Sequence, residues 1–197
     1  MFAQNIDNEE IVKLPRQNFP GEAHVISTHE ELAEWINVLQ QSSIIGFDTE
    51  SKPSFKKGQN NGIALLQLST ENVALIIRVK ETGIPAQLKK VLEDESIIKV
   101  GAAIRDDLKG LKSINSFNPK GFVDLQHIAS NYNIEGQSVR KLAAIVLGVR
   151  VSKSQRLSNW EAEELTNAQI DYAATDAWVC REIYVKLNAI NPIIPQK

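Results

Sequence analysis

Apolar positions along this chain recur in two rhythms, and the alternation between them predicts an α/β domain. Leu32, Trp35, Ile36 and Leu39 stand at i, i+3, i+4 and i+7, a single helical stripe suited to covering a sheet. Thr28, with Glu31 three positions later, is a capping box at the start of that helix, and His24-Val25-Ile26 ahead of it is a short strand. The runs 43–47, 63–68 and 73–79 are strand candidates, the last two parted by the polar turn Ser69-Thr70-Glu71-Asn72, as in a hairpin. A helix is expected over 84–92, a strand over 97–100 and a helical segment over 102–111. Residues 121–123 make one more short strand candidate, leading through Asp124 into a helical stretch over 125–131. A helix over 139–147 is closed by Gly148. Thr166 and Gln169 form a second capping box, for a long last helix ending near Leu187. Strands joined first by a hairpin and then through helices predict a central mixed sheet of about five strands flanked by helices on both faces.

Residues 1–22 mix charge, Asn and two prolines without periodicity and read as an extended lead-in. The domain then spans 23–188, and 189–197, with Pro192 and Pro195, is a tail. A length of 197 residues suits one domain with a substantial core. Charge narrows the choice of partner: 22 Lys and Arg against 24 Asp and Glu create no global positive field, so any nucleic acid must be held by local features. The single cysteine, Cys180, excludes a disulfide framework, and His24, His29 and His127 are too scattered for a zinc motif. No apolar run reaches the roughly 20 residues of a membrane span, and Asn5, Asp7, Glu9 and Glu10 stand where a signal peptide would be basic and apolar. A reduced, cytoplasmic setting without a membrane is expected.

Candidate chemistry begins at Asp48-Thr49-Glu50. Residues i and i+2 of an extended chain point the same way, so both carboxylates can face one point, and two hard oxygen donors there suit Mg²⁺ or Mn²⁺. Solvated turn acids are the plainer alternative for this pair alone. In the last helix Tyr172 and Asp176 are four apart and share a face, within a segment otherwise small and apolar. An acid there needs a metal or a cationic partner, though a helix cap or a lysine would also serve. A third acid comes from Asp106-Asp107, of which only one can point inward; spacing does not choose between them.

Taken in order, Asp48-Thr49-Glu50, Gly101-Ala102-Ala103-Ile104-Arg105-Asp106-Asp107 and Tyr172-Ala173-Ala174-Thr175-Asp176-Ala177 resemble the three motifs of the DEDD superfamily of 3′-5′ exonucleases. Tyrosine four residues before the last aspartate is similar to the DEDDy branch, which includes ribonuclease D and the Werner-type exonuclease domain. The likeness runs from about Ala23 to Leu187 and takes in 63–68 and Ser158-Asn159-Trp160. It implies a ribonuclease H-like fold, with Asp107 as the second-motif acid and Asp106 as its exposed neighbour. It further implies two divalent cations, Mg²⁺ or Mn²⁺, held by Asp48, Glu50, Asp107 and Asp176. Hydrolysis of a phosphodiester needs a nucleophilic water and a neutralised leaving oxygen, and two ions roughly 4 Å apart serve both. By the same likeness the chain would shorten DNA or RNA from the 3′ end and release nucleoside 5′-monophosphates. Tyr172 would orient the attacking water by a hydrogen bond, since a phenol of pKa about 10 is a poor full base.

Lys153, Arg156 and Trp160 lie in a stretch that in this family sits near the cleft and are expected to meet substrate; solvated loop residues and a packing tryptophan are the plainer alternatives. Lys56 and Lys57 could likewise meet the backbone or keep their loop soluble. Asp124 is expected to cap a helix, while Gln67 matches a family position without an assigned role. Ala102-Ala103 departs from the polar or glycine residue common in relatives, yet removes no ligand. The helical appendage that follows the domain in ribonuclease D is absent from the sequence, so recognition is expected to come from the domain itself or from a protein partner. The alternative is a nucleic-acid-binding or assembly module with this fold that no longer cuts. Against it stands the complete set of acids, which repel one another without a metal.

Overall fold

A computed structural model describes residues 2–54 and 61–190. In chain order its elements are α1 (Asn8–Ile11), β1 (Glu22–Ile26), α2 (His29–Gln40), β2 (Ile44–Ser51), β3 (Ile63–Ser69), β4 (Val73–Arg78), α3 (Val79–Thr82), α4 (Ala86–Glu93), β5 (Ile98–Gly101), α5 (Arg105–Ile114), β6 (Phe122–Asp124), α6 (Leu125–Ser130), α7 (Val139–Leu142), a π-helical turn (Ala143–Leu147) and α8 (Asn167–Asn188). The strands make one mixed sheet in the order β1-β4-β3-β2-β5-β6. It has six strands where about five were expected, because the short β6 pairs in parallel with β5 along its whole length.

Helices cover both faces. On one, Leu32, Ile36 and Leu39 of α2 join Leu88 and Leu92 of α4 and Leu111 of α5 over Ile45, Phe47, Leu66 and Leu68. On the other lies α8. Its Val179, Ile183 and Leu187 pack with Val100, Leu125 and Leu142, and its Ala173 and Ala174 pack with Leu65 and Ile76. Both capping boxes form, at Thr28 with Glu31 and at Thr166 with Gln169. Among the described residues no helix is long and apolar enough to cross a membrane.

Other elements also differ from the pattern, among them α3, a short helix that starts on the last residue of the strand run 73–79. The helix expected over 139–147 is α7 followed by a π-helical turn, whose carbonyl ladder is closed by Gly148 in the left-handed conformation, φ 71°. The segment ahead of β1 is not merely extended: it carries α1, buries Ile11 completely and pairs Arg16 with Arg150 in a parallel bridge.

Gly46 sets the distance between β2 and α8. A methyl group there would come within 1.8 Å of the Ala177 carbonyl oxygen. Because alternate residues of a strand share a face, this close approach also brings Asp48 and Glu50 against α8. Gly46→Ala is expected to lower stability by about 3 kcal/mol or more, since backbone rather than a flexible side chain must yield. Thermal denaturation checks this; an unchanged melting temperature would mean that the two elements have slack between them.

Candidate active site

Asp48 and Glu50 lie within β2 rather than after it, because antiparallel pairing with β3 continues to Ser51 opposite Ile63. Parallel pairing with β5 stops earlier, at Gly46 opposite Val100. The two acids therefore occupy the part of β2 that has a paired neighbour on one side only. Across from them stands α8, whose capped start and small residues Ala173, Ala174 and Ala177, all fully buried, let the helix seat closely on the sheet.

The result is a cluster. Carboxylate oxygens of Asp48, Glu50 and Asp176 lie within 4.8 Å of one another, and all three residues are half-buried. Tyr172 stands one turn before Asp176 on the same face of α8, and its hydroxyl lowers the Asp176 pKa. Its ring packs on that of Trp160, with centroids 5.8 Å apart. Burial, then the charges of Asp176, Glu50 and Asp107, push the Asp48 carboxyl well above the usual carboxylate range. Burial and the charges of Asp176 and Asp107 raise Glu50 to about 8. Burial raises Asp176 to about 7, with the Tyr172 hydroxyl pulling the other way. Tyr172 itself is pushed up from the ordinary phenol value by burial and then by Asp176 and Glu50, so it stays protonated. Three hard oxygen donors at one point, each disfavoured as an anion for want of a counter-charge, make a donor set that fits a hard divalent cation.

Asp107 stands outside that group. Its carboxylate accepts a hydrogen bond from the Thr49 hydroxyl, on the strand residue between the two clustered acids. Of the adjacent pair, Asp107 is half-buried and Asp106 exposed. Asp124 does more than cap α6 by accepting the Gln126 N–H at 2.9 Å: it also accepts the Ala103 N–H at 3.0 Å and the Ile104 N–H at 3.2 Å. It thus holds the turn that leads into α5, where Ala103 takes a positive φ of 57°. Neither Thr49 nor this reach of Asp124 was anticipated, since spacing along one segment does not report hydrogen bonds to another.

Lys153 and Arg156 are exposed and line a cavity that includes Arg140, Tyr172 and Asp176. Trp160 is only 1% exposed, so it is the packing support beneath Tyr172 rather than a face offered to substrate. Lys56 and Lys57 lie outside the described residues. Gln67 sits directly opposite Asp48 in the β2–β3 register, fully buried, with neither amide atom partnered among the described residues. A second cavity also reaches Tyr172 and Asp176 and is lined by Arg16, Asn18, Ser152, Ser154 and Asp171. Arg16 carries no signal in the sequence, because residues ahead of β1 have no periodic pattern.

A family model described as 3′-5′ exonuclease matches residues 23–190. The chain is similar to exonuclease 3′-5′ domain-containing protein 2 of Drosophila melanogaster, at 33% identity over 170 residues, covering 82% of this chain and 29% of that protein. It is similar also to the bifunctional 3′-5′ exonuclease/ATP-dependent helicase WRN of Mus musculus, at 34% identity over 186 residues, covering 88% of this chain and 13% of that one. The chain thus spans less than a third of either relative's length. Among solved structures, the ribonuclease D of Trypanosoma brucei in complex with RNA U12 superposes with a TM-score of 0.76 at 21% identity, over 90% of this chain and 65% of that one.

Proposed function

The chain belongs to the 3′-5′ exonuclease family, with the fold of the ribonuclease H-like superfamily, and from that premise we propose that it hydrolyses phosphodiester bonds at the 3′ end of a nucleic acid, releasing 5′-monophosphates. The observation that carries the reading is the cluster of Asp48, Glu50 and Asp176, with Tyr172 one helical turn from Asp176. These acids would hold divalent cations, Mg²⁺ or Mn²⁺, with Asp107 as the fourth ligand from α5. Two such ions, when bound, lower the pKa of water toward neutrality and neutralise charge on the leaving 3′-oxygen. What the chain itself contributes is placement. Gly46 and the small face of α8 fix the acids at one point, Thr49 holds the Asp107 carboxylate, and Asp124 holds the turn behind it.

Tyr172 acts here as a hydrogen-bond donor. A phenol pushed above its ordinary value cannot take a proton from water near neutrality, but it can hold Asp176 and the attacking water in line. Tyr172→Phe is expected to slow single-turnover cleavage at saturating cation by about 10- to 100-fold, the loss of one hydrogen bond to a charged group. An unchanged rate would mean that the hydroxyl takes no part in the step. Lys153 and Arg156, exposed beside the cluster, would contact phosphates.

A gel assay with 5′-labelled single-stranded DNA, single-stranded RNA and 3′-tailed duplex tests the whole reading. A ladder shortening from the 3′ end with Mg²⁺ or Mn²⁺, and not with chelator, is expected. Intact substrate in every lane, from folded protein, would leave a binding module that does not cut.

A further inference from the structure

The segment ahead of the matched domain is built into the cleft. Its Gln17 N–H donates to the Arg150 carbonyl at 3.0 Å, and the Arg150 N–H donates back to the Pro15 carbonyl at 2.9 Å. Arg150 Nε adds a bond to the Leu14 carbonyl at 3.0 Å. Beyond Arg16 the segment is tied to α8 itself: the Phe19 N–H donates to the Thr175 hydroxyl at 2.9 Å, and the Phe19 ring lies 6.1 Å from that of Trp178. Arg16 is therefore held by its backbone between the chain that leads into Ser152–Arg156 and the helical turn that carries Asp176. Pro15 and Pro20 stiffen the stretch further.

The Arg16 side chain, by contrast, is uncommitted. It is exposed, it lines the cavity that opens on Tyr172 and Asp176, and it makes one hydrogen bond, to Asn18 Oδ1 at 3.2 Å. Among the described residues no carboxylate lies within 4.0 Å of its guanidinium. This contrasts with Arg78 and Arg181, whose guanidinium groups are ion-paired to Glu81 and Glu182. A planar, permanently charged fork on a fixed backbone, with free donors facing a catalytic cleft, is the group that recognises phosphate oxygens in pairs. Residues 16 and 18 lie ahead of the 23–190 stretch that the family model matches.

We propose that Arg16 grips a backbone phosphate of the bound strand other than the one being cleaved. This rests on the exonuclease reading above, and strand chemistry then fixes the direction. A strand ending in a 3′-hydroxyl has no phosphate beyond the scissile one, so any second phosphate belongs to the nucleotides retained on the 5′ side. Arg16 is accordingly a substrate-length determinant. It acts on strands with more than one phosphate and is indifferent to a dinucleotide, whose single phosphate is the scissile one.

Equilibrium binding in chelator, where nothing is cut, tests this with a 5′-labelled single-stranded ten-mer and with a dinucleoside monophosphate. Arg16→Gln keeps the backbone bonds, and its melting temperature should match that of the parent. Its ten-mer affinity should fall about tenfold, the effect of one charge-assisted contact. The slope of log affinity against log salt should shrink by about 0.7, as expected for one lost contact to a single strand. Dinucleotide affinity should stay unchanged. Lys13→Gln, an exposed cation on the same segment but outside the cavity, should change none of these. Equal ten-mer binding by the parent and Arg16→Gln would overturn the proposal. So would an equal loss of affinity for the dinucleotide, or a parent protein that does not bind the ten-mer. A parent that binds with an Arg16-dependent slope but leaves the strand intact in Mg²⁺ and Mn²⁺ would support the Arg16 contact and overturn the exonuclease reading instead.

Discussion

Asp48→Asn is expected to abolish cation-dependent shortening of a 5′-labelled strand while making the metal-free protein more stable. The first effect follows from the donor set. Asp48 supplies one of the three carboxylate oxygens that lie within 4.8 Å of one another, and an amide oxygen carries no charge to hold a divalent ion or to offset its field. A loss of about a thousandfold or more in rate is expected, larger than that for Tyr172→Phe, because losing a ligand would remove the chemistry that bound cations would supply to both the water and the leaving oxygen. The second effect has the opposite sign and the same cause. Without an ion the Asp48 carboxyl is pushed up by burial and by Asp176, Glu50 and Asp107, so an isosteric neutral group relieves the fold of about 1–2 kcal/mol of repulsion and desolvation. That corresponds to a rise of roughly 2–8 °C in melting temperature for a chain of this size. Addition of Mn²⁺ should then reverse the order: the parent gains stability from a ligand that binds only its folded state, and the variant gains little. Activity retained in Asp48→Asn would remove Asp48 from the site. A variant less stable than the parent in chelator would mean that the cluster is paired by something other than a cation.

Much of this site is legible in the sequence because it is made of local rules. Alternation along an extended chain puts Asp48 and Glu50 on one face, helical spacing puts Tyr172 and Asp176 on another, and the Thr28–Glu31 and Thr166–Gln169 boxes mark where two helices begin. The parts that escaped are contacts between distant segments. Thr49 points away from the two acids beside it and so carries no signal of its own, yet it holds Asp107. Lys99 stands in an apolar strand where a lysine suggests exposure, but it is fully buried, with Nζ donating to the Asp94 carbonyl at 2.5 Å and lying 5.2 Å from the Phe122 ring centroid. The segment ahead of β1 has no hydrophobic period because it is held by backbone hydrogen bonds and a few anchors such as Ile11 and Phe19, which composition cannot show. Trp160, expected near substrate, supports the site from below because burying an aromatic ring under Tyr172 removes more apolar surface from water than exposing it.

Raising the pH from 5.5 to 8 is expected to destabilise the metal-free protein and to strengthen its response to Mn²⁺. Asp176 titrates at about 7 and Glu50 at about 8 in the folded chain, against ordinary values of 3.8 and 4.5, and Asp48 is shifted in the same direction. Between the two sets of values the folded state binds more protons than the unfolded one, so stability falls as pH rises through the window. Groups shifted the other way act elsewhere. Glu31 and Glu161, held below the ordinary value by hydrogen bonds, lose their contribution only as pH falls toward 4.5 and lower. Lys99, lowered to about 8 by burial, makes its difference above that pH. The range from 5.5 to 8 therefore isolates the acid cluster, and the melting temperature in chelator should fall across it by about 5 °C or more. Protons and cations compete for the same oxygens, so the gain in melting temperature on adding Mn²⁺ should be small at pH 5.5 and large at pH 8. Thermal scans at the two pH values, with chelator and with Mn²⁺, give all four points. A melting temperature in chelator that stays level or rises with pH would mean that the acids are already neutralised by neighbours in the chain, which would leave no electrostatic demand for an ion at this point.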